Sequence, residues 1–368
     1  MLHIYENCFS DRKITKIGVR SGVIAEPIPQ NGEETVVTDL HGLHVYPGLV
    51  DIHTHGCVGH DTMDGSADSL AVMAVFLAKN GILSWLPTTM TENFEKIHRA
   101  VGTSLPKEGA EVLGFHAEGP YINPAKRGAQ DEKYIKSPDM NEFSSLLGEK
   151  GVKIVTVAPE MPGADIFIKS CHDCGCVVSV GHTEADYGQT LSAAKAGAEC
   201  LTHVFNAMPP LLHRAPGPIG AAIDENMYVQ VICDGLHIQK SVIKMLYRTF
   251  GRDRMILISD SMRATGLSDG DYDLGGQNVH VRNSVARTDD GALAGSTSTL
   301  FDCVKKAVEF GIPEADAFYM ASRTPCSLMS FDRKGRLDIG CDADFIALDE
   351  NLDIKLVIKG GRAISENK

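Results

Sequence analysis

No run of about 18 uninterrupted apolar residues occurs in the 368-residue sequence, so nothing in it reads as a membrane-spanning helix. Positive charge is also scarce: 35 Lys and Arg stand against 48 Asp and Glu, a formal net charge of −13. That field repels phosphate backbones and anionic lipid, which excludes nucleic acid and a membrane surface as partners. A small anionic substrate stays open, provided the site carries its own cations. The opening MLHIYENCFSDRK has no basic segment followed by an apolar run, so it does not read as a signal peptide. The 10 cysteines lack regular spacing, which points to reduced thiols in the cytoplasm rather than a disulfide framework. One cluster, Cys171-His172-Asp173-Cys174-Gly175-Cys176, invites a zinc reading. It has no second Cys pair at zinc-ribbon distance, and buried or half-buried thiols are the default. Fixed-period repeats and low-complexity tracts are absent as well.

What is present is a series of β-rich apolar runs ending in polar or Gly-rich turns, at 45–53, 82–88, 111–116, 152–158, 177–181, 200–205, 228–233 and 255–259. Most are near-continuous rather than alternating, as strands buried on both faces should be. Helical patterns lie between them, for example at 69–80, 93–103 and 185–196. Strand–helix alternation of this kind predicts an α/β fold, a (β/α)₈ TIM-type barrel. The ends read differently, with short strands and turns over 1–44 and again over 334–368. The two termini are expected to pair into a small β-sandwich domain beside a catalytic barrel spanning 45–333.

In such barrels chemistry sits at the C-terminal ends of the strands. The first run carries His53 and His55, two apart and so on one side of a strand. Later runs end in Glu118, His182, His203, Asp234 with His237, and Asp260. Imidazoles and carboxylates at so many strand ends are hard to explain as structure and favour a metal-dependent hydrolase. Glu118, followed by Gly-Pro, sits on a stiff turn, and His182 and His203 from neighbouring strands could complete its coordination. Asp260 is the natural proton shuttle between water and a leaving amine.

The stretches PGLVDIHTHG, HAEGPYINPAKRGAQ, GHT, THVFNAM, DGLH and SDSMRATG, with the terminal GCDADFIALD, resemble the N-acetylglucosamine-6-phosphate deacetylase family of the amidohydrolase superfamily. The likeness runs in order along essentially the whole chain. It implies hydrolysis of the acetamide of an amino-sugar phosphate, with a divalent metal, zinc or iron, one or two ions per subunit. It implies Glu118, His182 and His203 as the main metal site, His53 and His55 as support for a second ion bridged by Glu118, and Asp260 as acid/base. Asn206 and Ala207 fall on the family's substrate contacts, and Arg214 and His237 on its phosphate contacts. Gln130 stands where some relatives carry a histidine near the scissile carbonyl; an amide donates a hydrogen bond but cannot become cationic. A homodimer, with phosphate contacts crossing between subunits, is the further implication. Lys126, Arg127 and His213 read as surface residues, and Arg263 as a partner of local carboxylates.

Two rivals remain at this point. Another amidohydrolase reaction, on a cyclic amide or a nucleobase, could use the same ligand set. A catalytically silent barrel serving as a binding protein would be expected to lack ligands at the strand ends. The epimer, glucosamine or galactosamine, rests on one hydroxyl and is open.

Overall fold

Eight parallel strands line up in chain order, each too short and too apolar to stand in water: β1 (Leu49–Thr54), β2 (Ile82–Thr89), β3 (Phe115–Glu118), β4 (Val152–Val157), β5 (Val177–Val180), β6 (Ala198–Leu201), β7 (Tyr228–Ile232) and β8 (Met255–Ile258). The computed structural model describes residues 1–10 and 13–366. The strands close into a barrel at the β8–β1 seam. There Asp260 N donates to His53 O at 2.9 Å and His55 N to Ser261 O at 2.8 Å. Every residue of β1 and β2 is buried, as expected of strands covered on both faces. The intervening helices start where capping residues predict: Ser66 caps Ala67–Lys79, Asn93 caps Phe94–Val101, and Asp186 caps Tyr187–Ala196 with Gln189 closing a capping box. No described helix is long and apolar enough to cross a membrane.

The run expected as one strand over 45–53 is two. His44–Pro47 pairs with Phe345–Leu348 in a sheet made by the chain ends, and β1 begins only at Leu49. The break falls at Pro47-Gly48. Proline has no N–H for a ladder, and a Cβ on Gly48 would sit 2.5 Å from Leu83 Cδ1. The terminal sheet has eight strands, with Leu2–Ser10 near its middle and Arg362–Glu366 at one edge. Its strands share a core of Tyr5, Ile17, Val45, Phe345 and Ile358. The expected third barrel strand, 111–116, is likewise interrupted. Glu111–Val112 pairs only with β2, and β3 starts after Gly114, whose φ is 145°.

After β8 the chain makes an unexpected three-stranded antiparallel sheet, Gly270–Leu274, Gln277–Arg282 and Val285–Thr288. It has its own core of Leu274, Val279, Val281 and Ala286 against Met90 and Met262. This insert stands over the C-terminal mouth of the barrel.

Candidate active site

Four barrel strands, β3, β5, β6 and β8, end in a sharp change of backbone direction at or next to a residue of the site. His182, His203 and Asp260, just beyond β5, β6 and β8, take positive φ of 47°, 24° and 49°. Non-glycine residues in that region are uncommon and concentrate at functional sites. Gly119, after Glu118, has φ 78°, and a Cβ there would lie 2.1 Å from Thr91 Oγ1.

The result is one buried cluster around Glu118. Its Oε1 lies 2.9 Å from His203 Nε2, 3.2 Å from His182 Nε2 and 3.3 Å from His53 Nε2. Its Oε2 lies 3.3 Å from His55 Nε2. Asp260 Oδ1 approaches His55 Nε2 to 3.3 Å and His53 Nε2 to 3.5 Å. Three of the outer ring nitrogens are committed elsewhere. His53 Nδ1 donates to Gln230 Oε1 at 3.0 Å, His55 Nδ1 to the Thr88 carbonyl at 3.2 Å, and His182 Nδ1 to the Lys126 carbonyl at 2.8 Å. Each corresponding Nε2 then turns its remaining valence toward the carboxylates, where only a proton or a cation satisfies it. His53 Nε2 is buried with no hydrogen-bond partner among the described residues. Two donor sets converge, each within 4.8 Å: His53, His55 and Glu118, and Glu118, His182 and His203. Neutral imidazoles with a shared carboxylate fit a divalent cation.

The electrostatics carry the same demand for positive charge. Burial opposes charging His53 and His55, yet Glu118 and Asp260 outweigh it and hold both above the ordinary imidazole value. Burial also opposes the charge on the two carboxylates, but the imidazoles win. Glu118 is held well below its usual range, and Asp260 is held at about 2 and is ionised. His203 goes the other way, lowered by burial. Beneath the cluster, His116 packs against the His53 ring at 4.5 Å between centroids. It is held well below its ordinary value by burial and is hydrogen-bonded to Ile52 O and Thr156 Oγ1.

His55, Glu118, His182, His203 and Asp260 floor a cavity of about 440 Å³. Its walls come from the loop carrying Lys126 and Gln130, from Asn206 and Ala207 after β6, from His237 after β7, and from Leu274 and Leu293 of the insert. Thus ten of the eleven expected site residues meet there or just beneath it. Arg214 does not: it is exposed on the loop after β6, its Nη1 2.6 Å from His213 Nε2. Arg263 pairs with Asp64 at 2.8 Å. In the cysteine cluster, Cys171 and Cys176 are buried and Cys174 is exposed.

The profile of the amidohydrolase family matches residues 44–364. The chain belongs to the amidohydrolase family. Among curated relatives of this amidohydrolase, the N-acetylglucosamine-6-phosphate deacetylase of Lysinibacillus sphaericus is 37% identical, over 94% of this chain and 92% of its own length. The N-acetylgalactosamine-6-phosphate deacetylase of Escherichia coli O157:H7 is 34% identical, over 95% of this chain and 94% of its own. Among solved structures, a mutant N-acetyl-D-glucosamine-6-phosphate deacetylase of Mycobacterium smegmatis, in complex with N-acetyl-D-glucosamine-6-phosphate, superposes with a TM-score of 0.88 at 30% identity. That match covers 99% of this chain and 98% of the other. The amidohydrolase therefore sits in the amino-sugar phosphate deacetylase branch of its family.

Sequence reading missed several residues around this centre. Gln230, which orients His53, left a trace: it is the one polar residue inside the buried strand YVQVI. Lys126, read as a surface residue, supplies the carbonyl that orients His182 and lies in the cavity wall. A backbone acceptor of this kind has no side-chain signature.

Proposed function

We propose that this amidohydrolase hydrolyses the acetamide of N-acetylglucosamine 6-phosphate to glucosamine 6-phosphate and acetate. The observation that carries the reading is the convergence of four imidazoles on Glu118, with Asp260 against two of them, in a chain that matches such deacetylases along nearly its whole length. Glu118, His182 and His203 would hold the main ion, and His53, His55 and Glu118 would hold a second. A bound divalent ion supplies Lewis acidity, polarising the acetyl carbonyl and acidifying water. Asp260, ionised and at the edge of the cluster, takes the proton of the attacking water and delivers it to the sugar nitrogen as the C–N bond breaks. The acetyl carbon gains the hydroxyl and the nitrogen gains the proton, so the water is fully accounted for. Asn206 and Ala207 line the sugar's path, and His237 offers a positive group for the phosphate.

The donor chemistry favours zinc or iron as the ion. We read the enzyme as a homodimer, in which the exposed Arg214 would reach a phosphate in the neighbouring subunit. Leu212 and Leu236, 52% and 50% exposed, are apolar groups such an interface would cover. Ten free thiols go with a cytoplasmic location. A second reading, the galactosamine epimer, rests on the 34% identity to the Escherichia coli enzyme, against 37% and 36% to two glucosamine enzymes.

Acetate release from the two epimeric 6-phosphates and from their unphosphorylated sugars, after defined metal loading, tests the proposal. Turnover of N-acetylglucosamine 6-phosphate well above the other three is expected, and an enzyme indifferent to the phosphate would sink it. Asp260→Asn is expected to keep its metal and lose roughly 10²–10⁴-fold in turnover. Near-normal rates in that variant would remove Asp260 from the reaction.

A further inference from the structure

Gln130 is almost completely buried, 2% exposed, yet it belongs to a loop otherwise open to the cavity mouth. Both ends of its amide are spoken for. Thr91 N donates to Oε1 at 2.6 Å, and a backbone N–H can face only the oxygen of an amide. The amide orientation is therefore fixed, and Nε2 must point the other way, where it donates to Glu118 Oε2 at 2.6 Å and lies 3.6 Å from Met90 Sδ. Its two hydrogens are engaged, and neither is left for a substrate carbonyl. The anchor is firm at each step. Thr91 is wedged against Gly119, where a Cβ would come within 2.1 Å of its hydroxyl. The Gln130 backbone N donates to Arg127 O at 3.0 Å, and its carbonyl accepts from Gln277 of the insert at 3.4 Å.

The grip falls on one oxygen of Glu118 only. Oε1 faces His182, His203 and His53, while Oε2 faces only His55 and Gln130. Without the Gln130 hydrogen bond Oε2 keeps His55 alone, whereas three imidazoles still hold Oε1. We infer that Gln130 is a positioning residue that holds Glu118 as a bridge, and so sets the affinity of the His53–His55 side for the second ion while leaving the His182–His203 side nearly untouched. The inference rests on the two-ion reading above. It replaces the expectation of Gln130 as a substrate contact with a role exerted through Glu118.

The test is metal binding, independent of turnover. The full-length protein is stripped, titrated with zinc against a competing chelator, and its zinc content measured. It is also loaded with manganese(II) and examined by electron paramagnetic resonance, since two ions sharing a carboxylate give a spin-coupled spectrum. Gln130→Met removes both polar ends at similar length, and Gln130→Asn keeps the amide but is one methylene too short to span Thr91 and Glu118. Both are expected to bind the first ion as the parent does and the second about 10–100-fold more weakly, with the coupled signal lost. General damage to the fold would weaken both ions together, so the split between them is the diagnostic readout. If parent and variants hold two ions with equal affinity, the clamp is overturned. A parent that takes up only one ion overturns the two-ion reading itself, and the clamp with it.

Discussion

The Asp234–His237 pair shows how a single carboxylate equips an acidic protein to receive an anion. Asp234 Oδ2 lies 2.7 Å from His237 Nδ1, and Oδ1 accepts from the backbone N–H of Leu236 and His237 at 2.8 and 3.0 Å. Burial opposes charge on His237, but Asp234 outweighs it and raises its pKa above 6.5, while Asp234 itself is lowered. A raised imidazole pKa means that the cation, and the stability it lends, is fully present below pH 6.5 and fades as pH rises through the raised value. If His237 receives the phosphate, the KM for the 6-phosphate should climb over that same rise. Asp234→Asn keeps an oxygen for the backbone donors and removes the charge. Its KM is expected to begin climbing at lower pH and to exceed the parent's roughly ten-fold above neutrality, the worth of one hydrogen bond to a charged group. An unchanged KM–pH profile would exclude His237 from phosphate binding. At this scale the sequence was informative where a side chain itself does the work. His53, His55, Glu118, His182, His203 and Asp260 stand at strand ends with few structural reasons to be there. It was silent on Thr88 and Lys126, which act through carbonyls, and a loop position such as that of Gln130 does not reveal which way an amide faces.

Gly48 marks where one element must stop and another begin. Its N–H donates to Asp344 O at 2.9 Å, tying the terminal sheet to the foot of β1, and its α-carbon is pressed onto Leu83, itself only 1% exposed. The ideal Cβ would stand 2.5, 2.7 and 2.8 Å from three carbons of that side chain. Leu83 has no open space to move into, so Gly48→Ala is expected to cost about 1–3 kcal/mol by overpacking. A denaturant midpoint equal to the parent's would show that Leu83 can yield. The barrel strands were legible because parallel strands buried on both faces are written as unbroken apolar runs. The Pro-Gly break inside the first run went unread, because an apolar run on either side hides it. The three-stranded insert also had its marks. Gly275-Gly276 and Asn283-Ser284, all at positive φ, are two-residue hairpin turns between short strands. Their strands are polar on one face and carry few apolar residues, so they are lost beside the barrel's stronger pattern.

Across the whole molecule, the barrel and the terminal sheet are joined by an ion cluster with Lys334 at its centre. Its Nζ lies 2.6 Å from Glu111 Oε2, 2.8 Å from Asp342 Oδ2 and 3.0 Å from Asp344 Oδ2. Lys359 adds contacts to Asp344 at 2.7 Å and to Glu111 at 3.4 Å. Glu111 comes from the barrel wall beside β2, whereas Asp344 and Lys359 come from the terminal sheet. The three carboxylates converge closely enough to hold a metal ion, but the Lys334 ammonium already stands among them. Burial opposes charge on Lys334, and the acids outweigh it and raise its pKa; against the same burial, the two lysines hold Glu111 and Asp344 below the usual carboxylate range. Lys334→Met would leave Glu111 and Asp344 to share Lys359, while Asp342 keeps Arg333. With the Lys334 side chain only 10% exposed, loss of stability on the order of 3–5 kcal/mol is expected. The sign with pH follows from the depressed carboxylates, whose contribution is present above their ordinary values and is lost as pH falls through their folded ones. Parent and variant should therefore differ most near neutral pH and converge in acid, while acetate release well below the unfolding temperature stays at the parent's rate. Adding Glu111→Gln to Lys334→Met should recover part of the loss, because one of the stranded charges is gone. Equal unfolding midpoints at neutral pH would mean that the sheet is held to the barrel by its apolar contacts alone.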